Sequence, residues 1–387
     1  MNDTALIFGA GKTGRGFAAH LAFLSGYRIV LVDKNNQLVD ALSKAGNYNI
    51  DVLGDPGQQC TIKVVGAYSV KGSLWYHEMA KASIVFTAVF GNNIAELAID
   101  LGKALATRYA TNPDKVLTIV TCENMTDAAR VLKNHVSEQL GVDLREWLSE
   151  KVCFSESIIF RTCLEASATQ DPLTIRAQNH FSLPCDGDAF KEAIPITGLK
   201  PLGNFKNQLK RKIYTYNCIN AVISYLGASK GYYQLYEAGN DPEILVIARL
   251  AAAETCRAQV LEFGFDSVEQ DDWMNDAFKK FADKSIPDPI SRNSADPIRK
   301  ISREDRLIGP ALLAVKWSIY PEGLLTGIEA CFSYKDDKSG ESVLELINKK
   351  GIDNVLVEVC GLSPGEELFQ LIKNRSVRLQ KQNGKNH

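Results

Sequence analysis

Gly9-Ala10-Gly11-Lys12-Thr13-Gly14-Arg15-Gly16 decides how the first half of the chain is read. It follows Thr4 to Phe8, an apolar run of strand type, and Gly14 to Ser25 continues it with helical spacing. Strand, glycine loop and helix in that order are the context a dinucleotide-binding fingerprint requires. A side chain at Gly9 would strain the tight turn, and one at Gly11 would push a diphosphate away. One at Gly14 would lift the helix off the sheet. Lys12 and Thr13, between the glycines, lie on the expected path of the cofactor, whose diphosphate would rest on the free N–H groups of the helix start.

Outward from the loop, Arg28 to Val32 reads as the second strand and ends at Asp33, 19 residues after Gly14. A carboxylate there accepts hydrogen bonds from ribose hydroxyls and repels a 2′-phosphate, so the expected cofactor is NAD. Lys34 reads as a solvated loop lysine, although a cation there would also tolerate a phosphate. Ser83 to Val89 and Val116 to Thr121 are continuous apolar runs of buried parallel-strand type. Their ends carry Ala88 and Val89, then Asn124, at the edge where an open parallel sheet binds ligands. Asn124 suits contact with the nicotinamide or substrate, and it equally suits a helix N-cap. Val152 to Ile159 and Leu173 to Ala177 are expected as later strands, antiparallel additions at the sheet edge. The expected fold is α/β, a Rossmann-type doubly wound sheet followed by an all-helical C-terminal domain, with domains at 1–194 and 195–387.

Helical spacing fills the second half, over 205–226, 242–264, 269–282, 303–319, 323–332, 341–350 and 366–380. Gly227, Gly264, Gly351 and prolines that include Pro297 and Pro310 are expected to punctuate these helices. The polar tail from Lys381 to His387 is expected to fray. With 44 basic and 46 acidic residues the chain shows no charge excess of the kind nucleic acid or an anionic membrane selects. No apolar run reaches the roughly 18 to 20 residues of a membrane helix, and no signal peptide precedes the loop. Nine cysteines without a CxxC pair read as reduced thiols in a cytoplasm. The five histidines show no metal-ligand spacing, so no metal site is expected.

Several motifs together resemble the polyol-specific long-chain dehydrogenases, the mannitol dehydrogenase family, and within it the short mannitol-1-phosphate branch. They are Phe8 to Gly11 with Thr13 to Phe17, Thr87-Ala88-Val89, Cys122-Glu123-Asn124-Met125, and Ala166 to Thr169 with Asp171-Pro172-Leu173. Arg211-Lys212 with Asn217, Arg299 to Ser302 and Asp305 to Ile308 continue the match through nearly the whole length. The resemblance implies metal-independent hydride transfer between NAD and a sugar alcohol or sugar acid. Its signature, Lys-x4-Asn-x2-His, falls on Lys212, Asn217 and Asn220, with asparagine where relatives have histidine. A second departure is Phe160-Arg161, where relatives usually have Asp-Arg.

On the residues alone, 205–224 reads as a basic, solvated helix start. With the resemblance, Lys212 becomes the acid/base, Asn217 a polariser of the reacting oxygen, and Asn220 a hydrogen-bond donor that cannot relay a proton. Lys210 and Arg211 are expected to lower the Lys212 pKa by like-charge repulsion. At about 100° per residue, positions 212, 220 and 217 fall at roughly 0°, 80° and 140° on one broad helix face. Arg161, Arg299 and Lys300 are the expected substrate-binding cations, within a basic cluster that also holds Arg292, Arg303 and Arg306. The expected reaction interconverts a polyol phosphate and a ketose phosphate, mannitol 1-phosphate and fructose 6-phosphate first, in a monomer or small homo-oligomer. Open beside it are a same-family reductase acting on a hexuronate or unphosphorylated polyol, and a non-catalytic NAD-binding sensor.

Overall fold

The computed structural model describes residues 3–54, 58–335 and 342–383, with side chains described to 376. The end of the polar tail, from Gly384 to His387, lies outside the described residues. The chain divides into two compact units, 1–206 and 207–387.

The first unit is built on a nine-stranded sheet. Its strands are β1 (Thr4–Phe8), β2 (Arg28–Asp33), β3 (Asn47–Leu53), β4 (Gln59–Ser69), β5 (Ile84–Thr87), β6 (Leu117–Thr121), β7 (Val152–Glu156), β8 (Cys163–Glu165) and β9 (Ile175–Gln178), in the order β7-β6-β5-β1-β2-β4-β3-β9-β8. β7 through β4 in that order are parallel. A separate parallel pair is formed by β10 (Leu183–Asp186) and β11 (Leu199–Leu202). The helices are α1 (Ala19–Leu24), α2 (Asn36–Ala45), α3 (Tyr76–Lys81), α4 (Ile94–Thr111), α5 (Ala128–Glu138) and α6 (Val142–Lys151). Both faces of the central strands are buried, which is why they read as unbroken apolar runs. Ala5 and Ile7 of β1 pack with Phe17 and Leu21 on one face, while Leu6 and Phe8 pack with Trp75 and Ile94 on the other. Strand order reverses between β5 and β1, so the ligand crevice of a doubly wound sheet falls outside their carboxyl ends.

One expectation is corrected here. β7 is a parallel edge strand beside β6, because the helical crossover through α5 and α6 returns the chain in the same direction. β9 pairs parallel with β3, and because β3 is antiparallel to β4 it runs against the central strands as expected, with β8 outside it at the edge.

In the second unit the helices are α7 (Phe205–Lys212, which begins at the end of the first unit), α8 (Cys218–Ser229), α9 (Leu235–Ala238), α10 (Pro242–Phe263), α11 (Ser267–Phe281), α12 (Ile290–Ser294), α13 (Pro297–Lys300), α14 (Ile308–Lys316), α15 (Glu322–Ser333), α16 (Val343–Lys350), α17 (Ile352–Glu358) and α18 (Glu367–Asn383). α8 is the central rod: Ile219, Ala221, Val222, Ile223 and Tyr225 are all buried, so it is apolar nearly all round. Alanines let α10 approach α15, where a Cβ on Gly323 would stand 2.3 Å from the Ala251 nitrogen. The buried Glu254 carboxylate accepts the Gly323 and Leu324 N–H groups at 2.8 and 3.0 Å, satisfying the start of α15.

Gly227 does not end a helix as expected. It lies inside α8, where a Cβ would stand 2.6 Å from that of Ala238, so it permits close packing. Pro310 likewise sits in the first turn of α14, where a missing N–H costs nothing. The helix expected from 303 begins only at Ile308, because the Asp305 carboxylate accepts the Arg306 N–H and holds a turn.

Candidate functional site

The first unit assembles one group of candidates at the end of β1. Gly9 has φ +88°, and a Cβ there would stand 2.3 Å from the Ala88 oxygen, so the turn needs glycine twice over. A Cβ on Gly14 would stand 1.9 Å from the Gly9 oxygen. One on Gly11 would meet nothing within 4 Å. The three glycines thus do different work: two close the backbone on itself, and the third leaves room beside a pocket. Lys12 and Thr13 follow in helical conformation, and Gly14–Ala18 form a π-helical turn before α1. Such turns frequently mark functional sites.

Asp33 fastens this loop. One carboxylate oxygen accepts the Ala10 N–H at 2.6 Å and the other the Asn35 N–H at 2.8 Å. Each oxygen keeps a further acceptor site. Arg15, buried, donates from Nε to the Ala10 oxygen at 2.6 Å and from a terminal nitrogen to the Leu173 oxygen. A pocket of about 220 Å³ opens beside the loop, bordered by Gly9, Gly11, Asp33, Ala88, Val89 and Phe90. Its inner wall is apolar, from Val32, Val70 and Leu97. Lys34 borders it too, with its ammonium on the Asn93 side-chain oxygen at 3.2 Å.

Asn124 is exposed and does not cap α5, which starts at Ala128 behind Asp127. Its neighbour Glu123, quoted in the sequence motif but given no role there, is buried and ties the ends of two strands together. Its carboxylate accepts the Thr87 hydroxyl at 2.8 Å and the Val89 N–H at 3.0 Å. Burial raises its pKa.

Arg161 stands apart from these candidates. It is buried, its guanidinium lies over the rings of Phe17 and Phe181 at 5.7 and 4.6 Å, and it donates to the Gln178 oxygen and contacts His20. Burial and this cation push His20 down to about 4. Phe160 meets the His180 ring edge-on at 6.0 Å. The Phe160 departure therefore belongs to aromatic packing, and Arg161 is engaged in that packing.

The second unit assembles the other group. Between α7 and α8 the helix passes through a π turn, Ile213–Asn217, in which the Cys218 N–H reaches back five residues to the Ile213 oxygen. Tertiary contacts hold the turn. Thr255 donates to the Tyr214 oxygen at 3.1 Å, and the Thr215 hydroxyl accepts from Gln259 and Gln270 at 3.0 and 2.9 Å. Lys212 and Asn217 are also five apart, the spacing of that turn. The π turn brings them closer to one side than the roughly 140° expected of a regular α-helix. Both are half-buried.

The Lys212 pKa is lowered to about 7, first by loss of water around the ammonium, then by the Arg306 and Lys280 charges, with Asp305 opposing. The expected contribution of Lys210 and Arg211 is corrected. Lys210 pairs with Glu304 at 3.1 Å, and Arg211 is stacked over Phe265 and Trp273 at 4.6 and 4.4 Å, donating to Gln270. Successive helix residues point about 100° apart, so sequence neighbours are not spatial neighbours.

Asn220 donates from Nδ2 to the Asn293 Oδ1 at 3.1 Å. The Asn293 Nδ2 donates in turn to the Pro289 oxygen at 3.1 Å, which fixes both amides, since that carbonyl can only accept. Buried Lys300 donates to the Asn293 backbone oxygen, and desolvation together with Arg306 brings its pKa to about 8. Arg299 is exposed and holds Asp296 and Asp305. Arg292 chelates Asp288, and Arg303 chelates Glu366. Of the basic cluster, then, Arg306, itself paired with Asp305 at 2.7 Å, is the member whose charge acts on Lys212, while Lys300 reaches Asn293, the partner of Asn220. Arg306 was expected only as a member of the basic cluster; its action on Lys212 arises from a contact 94 positions away. Among the described residues no group of three His, Cys, Asp or Glu is arranged to hold a metal, and no helix is long and apolar enough to cross a membrane.

Comparison with known proteins covers both units. Residues 3–197 match the family model described as the mannitol dehydrogenase Rossmann domain, and residues 204–377 match that of the mannitol dehydrogenase C-terminal domain. A solved D-sorbitol dehydrogenase in substrate-free form is similar in fold, with TM-score 0.75 and 14% identity over 96% of this chain and 92% of that one. Mannitol 2-dehydrogenase of Pseudomonas fluorescens, solved as a ternary complex with NAD and D-mannitol, gives TM-score 0.66 and 14% identity over 93% of this chain and 86% of that one.

Proposed function

The chain belongs to the mannitol dehydrogenase family, and from that premise we propose that it is an NAD-dependent polyol dehydrogenase whose proton donor and acceptor is Lys212. The observation that carries this reading is an amine at the entry to a π turn with its pKa brought to about 7. A general acid/base works best when its pKa lies near the working pH. Asn217 and Asn220 hold the substrate oxygens. In the first unit the glycine loop takes the diphosphate, and Asp33 takes the adenosine ribose with the acceptor sites left to it. The nicotinamide, when bound, supplies the hydride acceptor or donor. The non-catalytic alternative is disfavoured because a protein that only sensed NAD would have no use for an amine tuned to about 7.

For substrate we favour a ketose phosphate and its polyol phosphate, fructose 6-phosphate and mannitol 1-phosphate, because two cations, Arg306 and Lys280, act on Lys212. One observation favours an unphosphorylated polyol instead: Arg292, Arg299 and Arg303 are each neutralised by carboxylates. The experiment is NADH oxidation with fructose 6-phosphate, fructose, tagaturonate and fructuronate. Turnover confined to fructose 6-phosphate is the expected result. Turnover of fructose alone selects the unphosphorylated reading, and turnover of a hexuronate alone removes both.

The pH dependence has a defined sign. Ketone reduction needs the Lys212 ammonium, so kcat/KM for reduction should be high below about 7 and fall as pH rises through it. Alcohol oxidation needs the neutral amine, so its profile should rise through the same value. A pair of profiles with the same slope in both directions would show that another group transfers the proton.

A further inference from the structure

Phe90 is explained neither by the fold nor by the reaction. Its backbone stands at φ 65° and ψ 146°, where a bulky side chain sits only under constraint. Core packing does not compensate, because the side chain is 77% exposed.

The loop that carries it is held from both sides. The Val89 N–H donates to Glu123, and the Val89 oxygen accepts from the Asn93 side chain at 2.5 Å. The Asn93 N–H closes back on the Phe90 oxygen at 3.0 Å. A Cβ on Gly91 would stand 2.6 Å from the Met125 sulfur, so the next residue is confined as well. The surroundings therefore impose the conformation, and it places an exposed ring on the border of the pocket beside the glycine loop.

We infer that Phe90 is an aromatic wall of the dinucleotide site, stacking on the adenine ring of the bound cofactor. The inference rests on the cofactor reading above. Phe90 shares its pocket with Asp33 and Lys34 at the end of β2, the corner that receives the adenosine ribose in a doubly wound sheet. The base then lies against the apolar wall of Val70, Val89 and Leu97, with one face left for an aromatic ring. A strained backbone and an exposed ring are what this role requires: binding covers the ring, and the imposed conformation holds it at the border of the pocket.

The test is calorimetric binding of NADH, ADP-ribose and nicotinamide mononucleotide to the full chain and to Phe90→Gly and Phe90→Trp. Phe90→Gly should weaken NADH and ADP-ribose about tenfold, the scale of one base–aromatic stack. It should leave the mononucleotide unchanged. Phe90→Trp should retain affinity. The melting temperature of free Phe90→Gly should rise, since glycine accepts this φ without strain. Equal NADH affinity in the full chain and Phe90→Gly would overturn the inference while leaving the cofactor reading intact. A fall in the melting temperature of the free variant with affinity unchanged would likewise overturn it, by making Phe90 a packing residue. Failure of the unmodified chain to bind NADH or ADP-ribose removes the cofactor reading and this inference together.

Discussion

Replacing Lys212 by alanine is expected to lower turnover about 10³-fold, within the range assigned to a positioned general acid/base, while NADH affinity stays the same. The large effect follows from what surrounds the amine. Asn217 and Asn220 cannot take or give a proton, so no neighbour in the motif substitutes for it. Lys300 is directed to the Asn293 backbone oxygen. Affinity for NADH should hold because the glycine loop and Asp33 belong to the other compact unit. Lys212→Arg should not rescue oxidation, since a guanidinium stays protonated at working pH. A stability control separates chemistry from folding. The folded-state pKa of Lys212 is depressed, so the unfolded chain binds the extra proton between about 7 and the ordinary lysine value of about 10.4. Stability should therefore rise with pH across that window, and alanine should abolish this rise without lowering the melting temperature at pH 7. Turnover unchanged in Lys212→Ala would move the proton transfer to another residue.

How far the site could be read in advance depended on the range of the forces that make it. The glycine loop was legible because its constraints are local: Gly9 and Gly14 each answer to a backbone within the same strand–loop–helix unit or the adjoining strand, and Gly11 lies between them on the open side. The apolar strands were legible because β1, β5 and β6 are buried on both faces. β3 and β4 were missed although alternation was present, with Tyr48, Ile50 and Val52 buried and Asn47, Asn49 and Asp51 turned outward. The short α12 and α13 offered too few turns for a period. Around Lys212 the sequence supplied the residues but not their partners. The π turn depends on Thr255, Gln259 and Gln270, and the charge that tunes the amine comes from Arg306. These contacts bridge tens of residues, and no local pattern encodes them. Reading Arg211 as a neighbour of Lys212 failed for the complementary reason, because adjacency along a helix turns side chains apart.

The glycine loop yields the other large effect, and its value lies in a contrast between two substitutions three residues apart. Gly14→Ala places a methyl carbon 1.9 Å from the Gly9 oxygen and 3.2 Å from the Ile7 side chain. The obstacle is backbone, in a turn already fixed by the Ala88 contact and by Asp33, so it cannot give way. The expected cost is about 4 kcal/mol or more, the range reserved for severe steric and strain effects. Against a usual total of about 5–15 kcal/mol, that should leave the first unit largely unfolded or insoluble. Gly11→Leu meets nothing within 4 Å at its Cβ and should change stability by no more than about 0.5 kcal/mol. Its side chain would instead enter the space a diphosphate needs, and NADH affinity should fall at least about 100-fold, or roughly 2.7 kcal/mol. Urea midpoints and NADH titrations on both variants check the pair. Normal NADH binding by a well-folded Gly11→Leu protein would mean that the diphosphate does not cross this loop, and the cofactor reading would fall with it. A stable, soluble Gly14→Ala protein would mean that helix and turn separate more readily than the 1.9 Å approach allows, and that the loop tolerates a register other than the one observed.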